Sequence, residues 1–339
     1  MDKLVLFNNS DLKKLLNKRT GETKFGERIT VLSSISNIYE ELKNLDVTHV
    51  IVGLPEDVGV FANYGISGAY NTWHTVIKYL LNIQNNDFIS AEKVLILGHL
   101  DFSSEMNKVL GLDQSKKKDI LKARKLVGKM DSHVTFLIEQ IVSAGKKPII
   151  IGGGHNNAYG NIKGCALALG NAINVVNLDA HTDFRSEEGR HSGNGFSYAF
   201  AEGFLNNYFV FGIHENYTPQ KILKSLNKLK SIQYNTFEAI EIRNDLKFKK
   251  ELLRALEHVS NKPFGIEIDC DAIENISTSA LTPSGFNINK VRSFVNYFGK
   301  DENACYLHIC EAIVTNDNEK QMGKLITYLI TDFIKASNS

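Results

Sequence analysis

Seven short apolar runs, rich in Val, Ile, Leu and Phe, alternate along the chain with longer stretches whose apolar residues recur at helical spacing. The runs are His49 to Leu54, Val94 to Leu97, Pro148 to Gly152, Asn174 to Leu178, Tyr208 to Ile213, Phe264 to Ile268 and Ala304 to Cys310. Between them Thr72 to Asn82, Asp119 to Ala144, Leu246 to His258 and Asn289 to Phe298 read as helices. Runs apolar on both faces are strands covered on both sides, and their alternation with helices builds a doubly wound, largely parallel α/β sheet. At 339 residues and 43% hydrophobic content the chain can fill such a core. Residues 1–45 read as a charged, mostly helical extension and Glu319 to Lys335 as a closing helix. With no Pro/Ser-rich linker and no internal repeat, residues 46–339 read as one domain.

Composition excludes several partners. Lys plus Arg is 39 against 38 Asp plus Glu, so no overall field attracts nucleic acid or an anionic membrane. The basic run Lys116, Lys117, Lys118, Lys122, Arg124, Lys125 and Lys129 lacks interleaved aromatics and reads as a solvated helical face. Cys165, Cys270, Cys305 and Cys310 show no CxxC spacing, which argues against a disulfide framework or thiolate zinc site and for a reducing, cytoplasmic setting. No signal-peptide core and no long uncharged apolar stretch is visible.

In open α/β sheets, sites form beyond the carboxyl ends of strands, so polar residues that terminate an apolar run are the informative ones. Pro148-Ile-Ile-Ile-Gly-Gly-Gly-His155 leads a strand through three glycines to a histidine, and its spacing is neither a P-loop nor GxGxxG. Val175-Val-Asn-Leu-Asp179 continues to His181 and Asp183, and in extended chain Asp179, His181 and Asp183 share a face. Phe264-Gly-Ile-Glu-Ile-Asp269-Cys-Asp271 puts two more carboxylates on one face, with Glu267 beside them. One such aspartate alone reads as a cap, and one such histidine as a core side chain. Together, four carboxylates converging on a crevice would repel one another, and two divalent ions would balance them. Oxygen-rich ligands with imidazole and no thiolate suit five- or six-coordinate Mn²⁺ better than tetrahedral zinc, which predicts a dimanganese hydrolase site.

Gly152-Gly-Gly-His155, Asp179-Ala-His-Thr-Asp183 and Asp269-Cys-Asp271, in this order, resemble the metal motifs of the ureohydrolase family, which includes arginase, agmatinase and formimidoylglutamase. The resemblance runs from Val52-Gly-Leu-Pro-Glu-Asp57 and Asn63-Tyr-Gly-Ile-Ser-Gly-Ala69 to Glu311. It implies a three-layer α/β/α domain with a mainly parallel eight-stranded sheet, and a homo-oligomer, trimer or hexamer. It further implies that His155, Asp179, His181, Asp183, Asp269 and Asp271 hold two Mn²⁺ ions, which activate water against the planar carbon of a guanidine or amidine. By the same resemblance Asp183 relays the proton to the leaving amine, and Glu311 holds the substrate's amidine group.

The loop Phe184-Arg-Ser-Glu-Glu-Gly-Arg-His-Ser-Gly-Asn-Gly-Phe196 discriminates within the family. Ser192 stands where arginases carry a histidine, and His191 lies one position earlier, so either could assist proton transfer. Ser-Gly-x-x-Phe resembles the formimidoylglutamase branch, as does Gly-Gly-Gly-His. Arg185 and Arg190 could each clamp a carboxylate, as a formimino-glutamate requires, or pair with Glu187 or Glu188 on a solvated loop. Asn194 and His214 complete the expected substrate contacts, while the other histidines, His308 among them, read as structural. The expected substrate is N-formimino-L-glutamate. Arginine or another guanidino acid stands second, and a catalytically silent homologue that binds a ligand or partner stands third.

Overall fold

In the computed structural model, which describes residues 3–338, nine strands form one sheet. They are β1 (Leu4–Leu6), β2 (His49–Gly53), β3 (Val94–Leu100), β4 (Lys147–Ile151), β5 (Ile173–Leu178), β6 (Leu205–Ile213), β7 (Ile232–Thr236), β8 (Phe264–Asp269) and β9 (Ala304–Cys310). Their order across the sheet is β1-β3-β2-β4-β9-β8-β5-β6-β7. Only the β1–β3 pair is antiparallel.

Twelve α-helices flank the sheet: α1 (Asn9–Leu15), α2 (Ile38–Asn44), α3 (Val58–Ala62), α4 (Thr72–Leu80), α5 (Ser103–Leu110), α6 (Lys117–Ser143), α7 (Asn157–Leu169), α8 (Gly195–Ala201), α9 (Gln220–Leu226), α10 (Phe248–Val259), α11 (Ile288–Gly299) and α12 (Glu319–Ala336), counted among the described residues. Strand side chains alternate between two apolar layers. Ile51, Ile149, Ile151, Phe209 and Ile266 pack beneath α4, α10, α11 and α12. Val50, Val52, Ile150, Val175 and Tyr208 pack beneath α2, α6, α7 and α8. This is the three-layer α/β/α arrangement expected from the sequence.

Two details correct the expectation. Eight strands are parallel, but Leu4–Leu6 adds a ninth at the edge by pairing with Leu100–Gly98. The first 45 residues are therefore not simply helical: besides α1 and α2 they supply this strand, and Phe7 and Phe25 are buried in the main core. β7, with the sequence Ile-Gln-Tyr-Asn-Thr, carries too few apolar residues to stand out as a run. The basic residues of α6 are exposed apart from half-buried Arg124, so that run is a solvated face. Among the described residues no helix is long and apolar enough to cross a membrane.

β4 and β5 are consecutive in the chain yet stand three places apart, with β9 and β8 inserted between them. The carboxyl ends of these four strands bound one crevice, at the point where the winding changes direction.

Candidate metal centre

β4 leaves the sheet through Gly152 (φ 85°) and Gly153 (φ 77°), conformations that side chains disfavour. A Cβ at Gly153 would also sit 2.5 Å from the Leu54 carbonyl oxygen. This turn buries His155 completely and points its Nδ1 at three carboxylates: Asp183 Oδ2 at 2.9 Å, Asp269 Oδ2 at 3.1 Å and Asp179 Oδ2 at 3.4 Å. After β5, Asp179 Oδ1 accepts the His181 backbone N–H at 2.6 Å, and His181 Nδ1 faces Asp271 Oδ2 at 3.0 Å. At the end of β8, Asp269 caps a single turn by accepting the Asp271 N–H at 2.9 Å.

All six sequence-predicted ligands thus meet. Donor atoms of His155, Asp179, Asp183 and Asp269 lie within 4.8 Å of one another, as do those of Asp179, His181 and Asp271, so Asp179 belongs to both groups. Strand alternation is not what aligns them. β5 ends at Leu178, and Asp183 reaches the cluster through a left-handed backbone with φ 43°. Glu311 is left-handed too, with φ 61°. Such conformations in non-glycine residues cost on the order of 1–3 kcal/mol and persist where surrounding structure imposes them.

Burial and the neighbouring Asp179 push the Asp183 carboxyl up to about 6. Burial together with Asp271 and Asp179 raises Asp269. Asp179 alone, despite burial acting the other way, is held low by the His155 and His181 imidazoles. No lysine or arginine among the described residues pairs with any of the four aspartates, and the buried Asp271 Oδ1 has no hydrogen-bond partner. Buried carboxylates of this density are stable as anions only beside cations, so the donor set fits divalent metal binding.

A second tier of polar groups fixes the cluster from behind. Glu267, on the same face of β8 as Asp269, accepts from His308 Nδ1 at 2.5 Å and from the Tyr306 hydroxyl at 2.7 Å, and stands 3.4 Å from His155 Nε2. Glu56 Oε1 accepts from Gly154 N–H at 3.1 Å and Asn157 Nδ2 at 2.7 Å, while its Oε2 accepts from Val58 N–H at 2.7 Å. Asp57 accepts from Gly68 and Ala69 N–H at 2.8 and 2.9 Å and so holds the 63–69 loop. Glu56 and Asp57 lie three and four residues past the end of β2, and the strand-end rule that found the aspartates could have flagged them. His308 is structural by its spacing, which gives no sign of the tie to His155 through Glu267.

The crevice measures about 560 Å³ and is lined by Asn63, Asp183, Arg185, Ser192, Tyr217 and Glu311 among others. Glu311 Oε1 accepts the His155 backbone N–H at 2.7 Å and its Oε2 accepts from Ser279 Oγ; burial pushes this carboxyl up to about 8. Arg185 is exposed at the crevice and donates from Nη1 to Asn63 Oδ1 at 3.0 Å. Ser192 Oγ accepts from Asn63 Nδ2 at 3.1 Å.

Four expected substrate or catalytic contacts lie elsewhere. Arg190 is buried between the rings of Tyr159 and Tyr198, pairs with Asp131 at 2.9 Å and donates to Asn194 Oδ1 and Asn156 O at 2.7 Å each. Its partner is neither a substrate nor Glu187 or Glu188; the carboxylate of Glu188 pairs with Arg124. Asn194 is fully buried and organises the loop through Arg190, the His191 N–H and the Gly189 carbonyl. His191, also fully buried, accepts the Gly193 N–H at Nδ1, and burial with the charges of Arg124, Arg185 and Arg190 pushes it down to about 3. His214 stacks between Tyr217 and Phe237 rather than lining the crevice.

Formimidoylglutamases of Streptococcus pyogenes strains are 27% identical over 235 residues, which cover 67% of this chain and 65% of the relatives' length, just under two thirds of those proteins. Trypanosoma cruzi formiminoglutamase with Mn²⁺ superposes with a TM-score of 0.70 at 18% identity, covering 93% of this chain and 98% of that one. Formimidoylglutamase from Bacillus subtilis gives 0.72 at 18% identity, covering 98% and 99%. The model of the Arginase family matches residues 50–335. Through its sheet, its cluster of six ligand-type residues and this match, the chain belongs to the arginase family.

Proposed function

We propose that the protein is a metal-dependent hydrolase of a linear amidine, converting N-formimino-L-glutamate and water to L-glutamate and formamide. The observation that carries this reading is the shared crevice: His181, Asp183, Asp269 and Asp271 of the two ligand groups, the pinned carboxylate of Glu311 and the exposed guanidinium of Arg185 all line it. The relatives named formimidoylglutamase support the choice of substrate.

Two Mn²⁺ ions, held by His155, Asp179, His181, Asp183, Asp269 and Asp271, would supply Lewis acidity and lower the pKa of water at the site. The chain's own groups do the rest. Glu311 orients the planar amidine group by hydrogen bonds, its position fixed by the His155 N–H and the Ser279 hydroxyl. Asp183, the cluster's partly exposed carboxylate, takes the proton released by the attacking water and returns it to the leaving nitrogen as the C–N bond breaks. Arg185 clamps a substrate carboxylate and disfavours substrates with a cationic far end, such as agmatine. Ser192 is the hydroxyl on the same wall.

A guanidino or amidino acid with one carboxylate is the second reading. It is favoured by the commitment of Arg190 to Asp131, which leaves Arg185 as the crevice's arginine. We infer also a homo-oligomer, trimer or hexamer, working in the cytoplasm, where its four cysteines stay free; size-exclusion chromatography with light scattering tests the assembly.

The deciding experiment assays Mn²⁺-loaded protein side by side on N-formimino-L-glutamate, L-arginine, agmatine and guanidinobutyrate. Formamide without urea is expected. Urea from guanidinobutyrate would establish the second reading, and urea from arginine would overturn the assignment of the loop. Failure to turn over any of the four, with metal bound at less than one ion per chain, would establish a silent homologue.

A further inference from the structure

α3 ends at Asn63, whose N–H bonds to the Val60 carbonyl, and the next residue, Tyr64, is left-handed with φ 65°. This turn presents the Asn63 amide to the opposite loop, where it makes two different bonds. Oδ1 accepts from Arg185 Nη1 at 3.0 Å, and Nδ2 donates to Ser192 Oγ at 3.1 Å. A carboxylate here could accept from both partners, since the Ser192 hydroxyl can also donate, but it would place an anion on Arg185; the amide makes both bonds without a charge. Gly193 completes the fit: a Cβ there would stand 3.0 Å from both Arg185 Cδ and Asn63 Nδ2.

Arg185 pairs with no carboxylate among the described residues, and Asn63 is its one side-chain partner. An exposed arginine has many rotamers, and holding it in its binding pose beforehand lowers the cost of capturing an anion. A neutral partner does this without quenching the charge. We propose that Asn63 is a specificity-determining positioning residue: its amide aims Arg185 into the crevice and keeps it free of an anionic partner, so that the site selects substrates ending in a carboxylate. This rests on the reading of Arg185 as the carboxylate clamp.

The test is a double-mutant cycle on the Mn²⁺-loaded enzyme with Asn63→Asp, Asn63→Ala and Arg185→Ala. It reads KM and kcat for N-formimino-L-glutamate, and the Kd of glutarate by calorimetry. Asn63→Asp is nearly isosteric but gives Arg185 an ion-pair partner, so KM and the glutarate Kd should both rise about 30-fold while kcat changes less than about threefold. Asn63→Ala should raise both about fivefold by loosening the guanidinium. On an Arg185→Ala background Asn63→Asp should add less than about twofold, because its effect acts through the arginine. An undiminished effect on that background, or a fall in kcat with KM unchanged, would overturn the proposal. Should wild type bind glutarate, and Asn63→Asp weaken it, without any turnover of N-formimino-L-glutamate, the substrate assignment fails and the role of Asn63 stands.

Discussion

One wall of the crevice is made of the carboxyl ends of β4, β5, β8 and β9, the other of the loops at 63–69, 184–194 and 277–286. The strand-end wall holds its polar groups through the backbone. Asp179, Asp269 and Glu311 each accept an N–H from a residue on a strand exit, so their positions follow from the sheet's own register. The loop wall lies outside the sheet, and side chains of other elements fix much of it: Asp57 holds the Gly68 and Ala69 N–H groups, Asp131 of α6 holds Arg190 and Arg124 of α6 holds Glu188, while Asn63 bonds Arg185 and Ser192 within the wall. On the proposed function, metal ligation would sit on the rigid part of the fold, and substrate selection where side-chain choices can change without disturbing the sheet.

If that division holds, substitutions on the two walls should fail in different ways. The largest effect is expected at the shared ligand. Asp179→Asn should reduce metal content and lower turnover by about a thousandfold or more, since both ligand groups use this carboxylate. Elemental analysis beside the product assay checks it, and full metal content with near-normal rate would break the assignment of the strand-end wall. Asp183→Asn should also abolish turnover; near-normal activity with metal bound would remove its proposed proton role.

Next come the two arginines of one loop, five positions apart. Arg190→Met strands the buried Asp131 without its cation and should cost about 3–5 kcal/mol of stability, read by chemical denaturation. Arg185→Ala should leave stability within about 0.5 kcal/mol yet raise KM for a carboxylate substrate about tenfold or more. The same effect from both would mean that the loop acts as a unit and that its two arginines are not divided between scaffold and clamp.

A smaller change is expected behind the strand-end wall. Glu267→Gln keeps the shape but weakens the acceptor beside His155 and His308, and Mn²⁺ affinity should fall about 10- to 100-fold, as substitutions one step behind metal ligands do. Titration with Mn²⁺ against a chelating indicator checks it. An unchanged affinity would show that His155 is oriented by its three aspartates alone.

These contrasts explain what can be read in advance. The apolar runs of β4, β5, β8 and β9 are long enough to stand out, and a polar residue ending such a run has few places to go except the crevice. All six clustered residues are legible for that reason, and so is Glu311. β1 and β7 are not, one being three residues long and the other mostly polar. In the loop, sequence spacing can nominate Arg185, Arg190, His191 and Asn194 alike as candidates. Which of them turns outward depends on Asp131 and the Tyr159 ring, from helices remote in the chain, and on the Tyr198 ring of the adjoining α8. The same distance in sequence hides Asn63, whose two partners lie 122 and 129 residues away.

His191 carries the finest test of the division. Its position beside Ser192 makes it a candidate proton carrier, but its ring is fully buried, and burial with the charges of Arg124, Arg185 and Arg190 brings its pKa down to about 3 from an ordinary 6.5. A neutral imidazole that resists protonation belongs to the scaffold. His191→Asn offers an acceptor for the Gly193 N–H, so kcat should change by less than about twofold and no titration limb should vanish from the kcat profile between about pH 5 and 8. Stability should respond instead. Between about pH 3 and 6.5 the unfolded chain protonates this ring and the folded one does not, so wild-type stability falls as pH drops through that window. The variant lacks that contribution, and its stability should fall less steeply over the same range in denaturant titrations at stepped pH. A lost kinetic limb with an unchanged stability profile would place His191 on the substrate side of the loop wall after all.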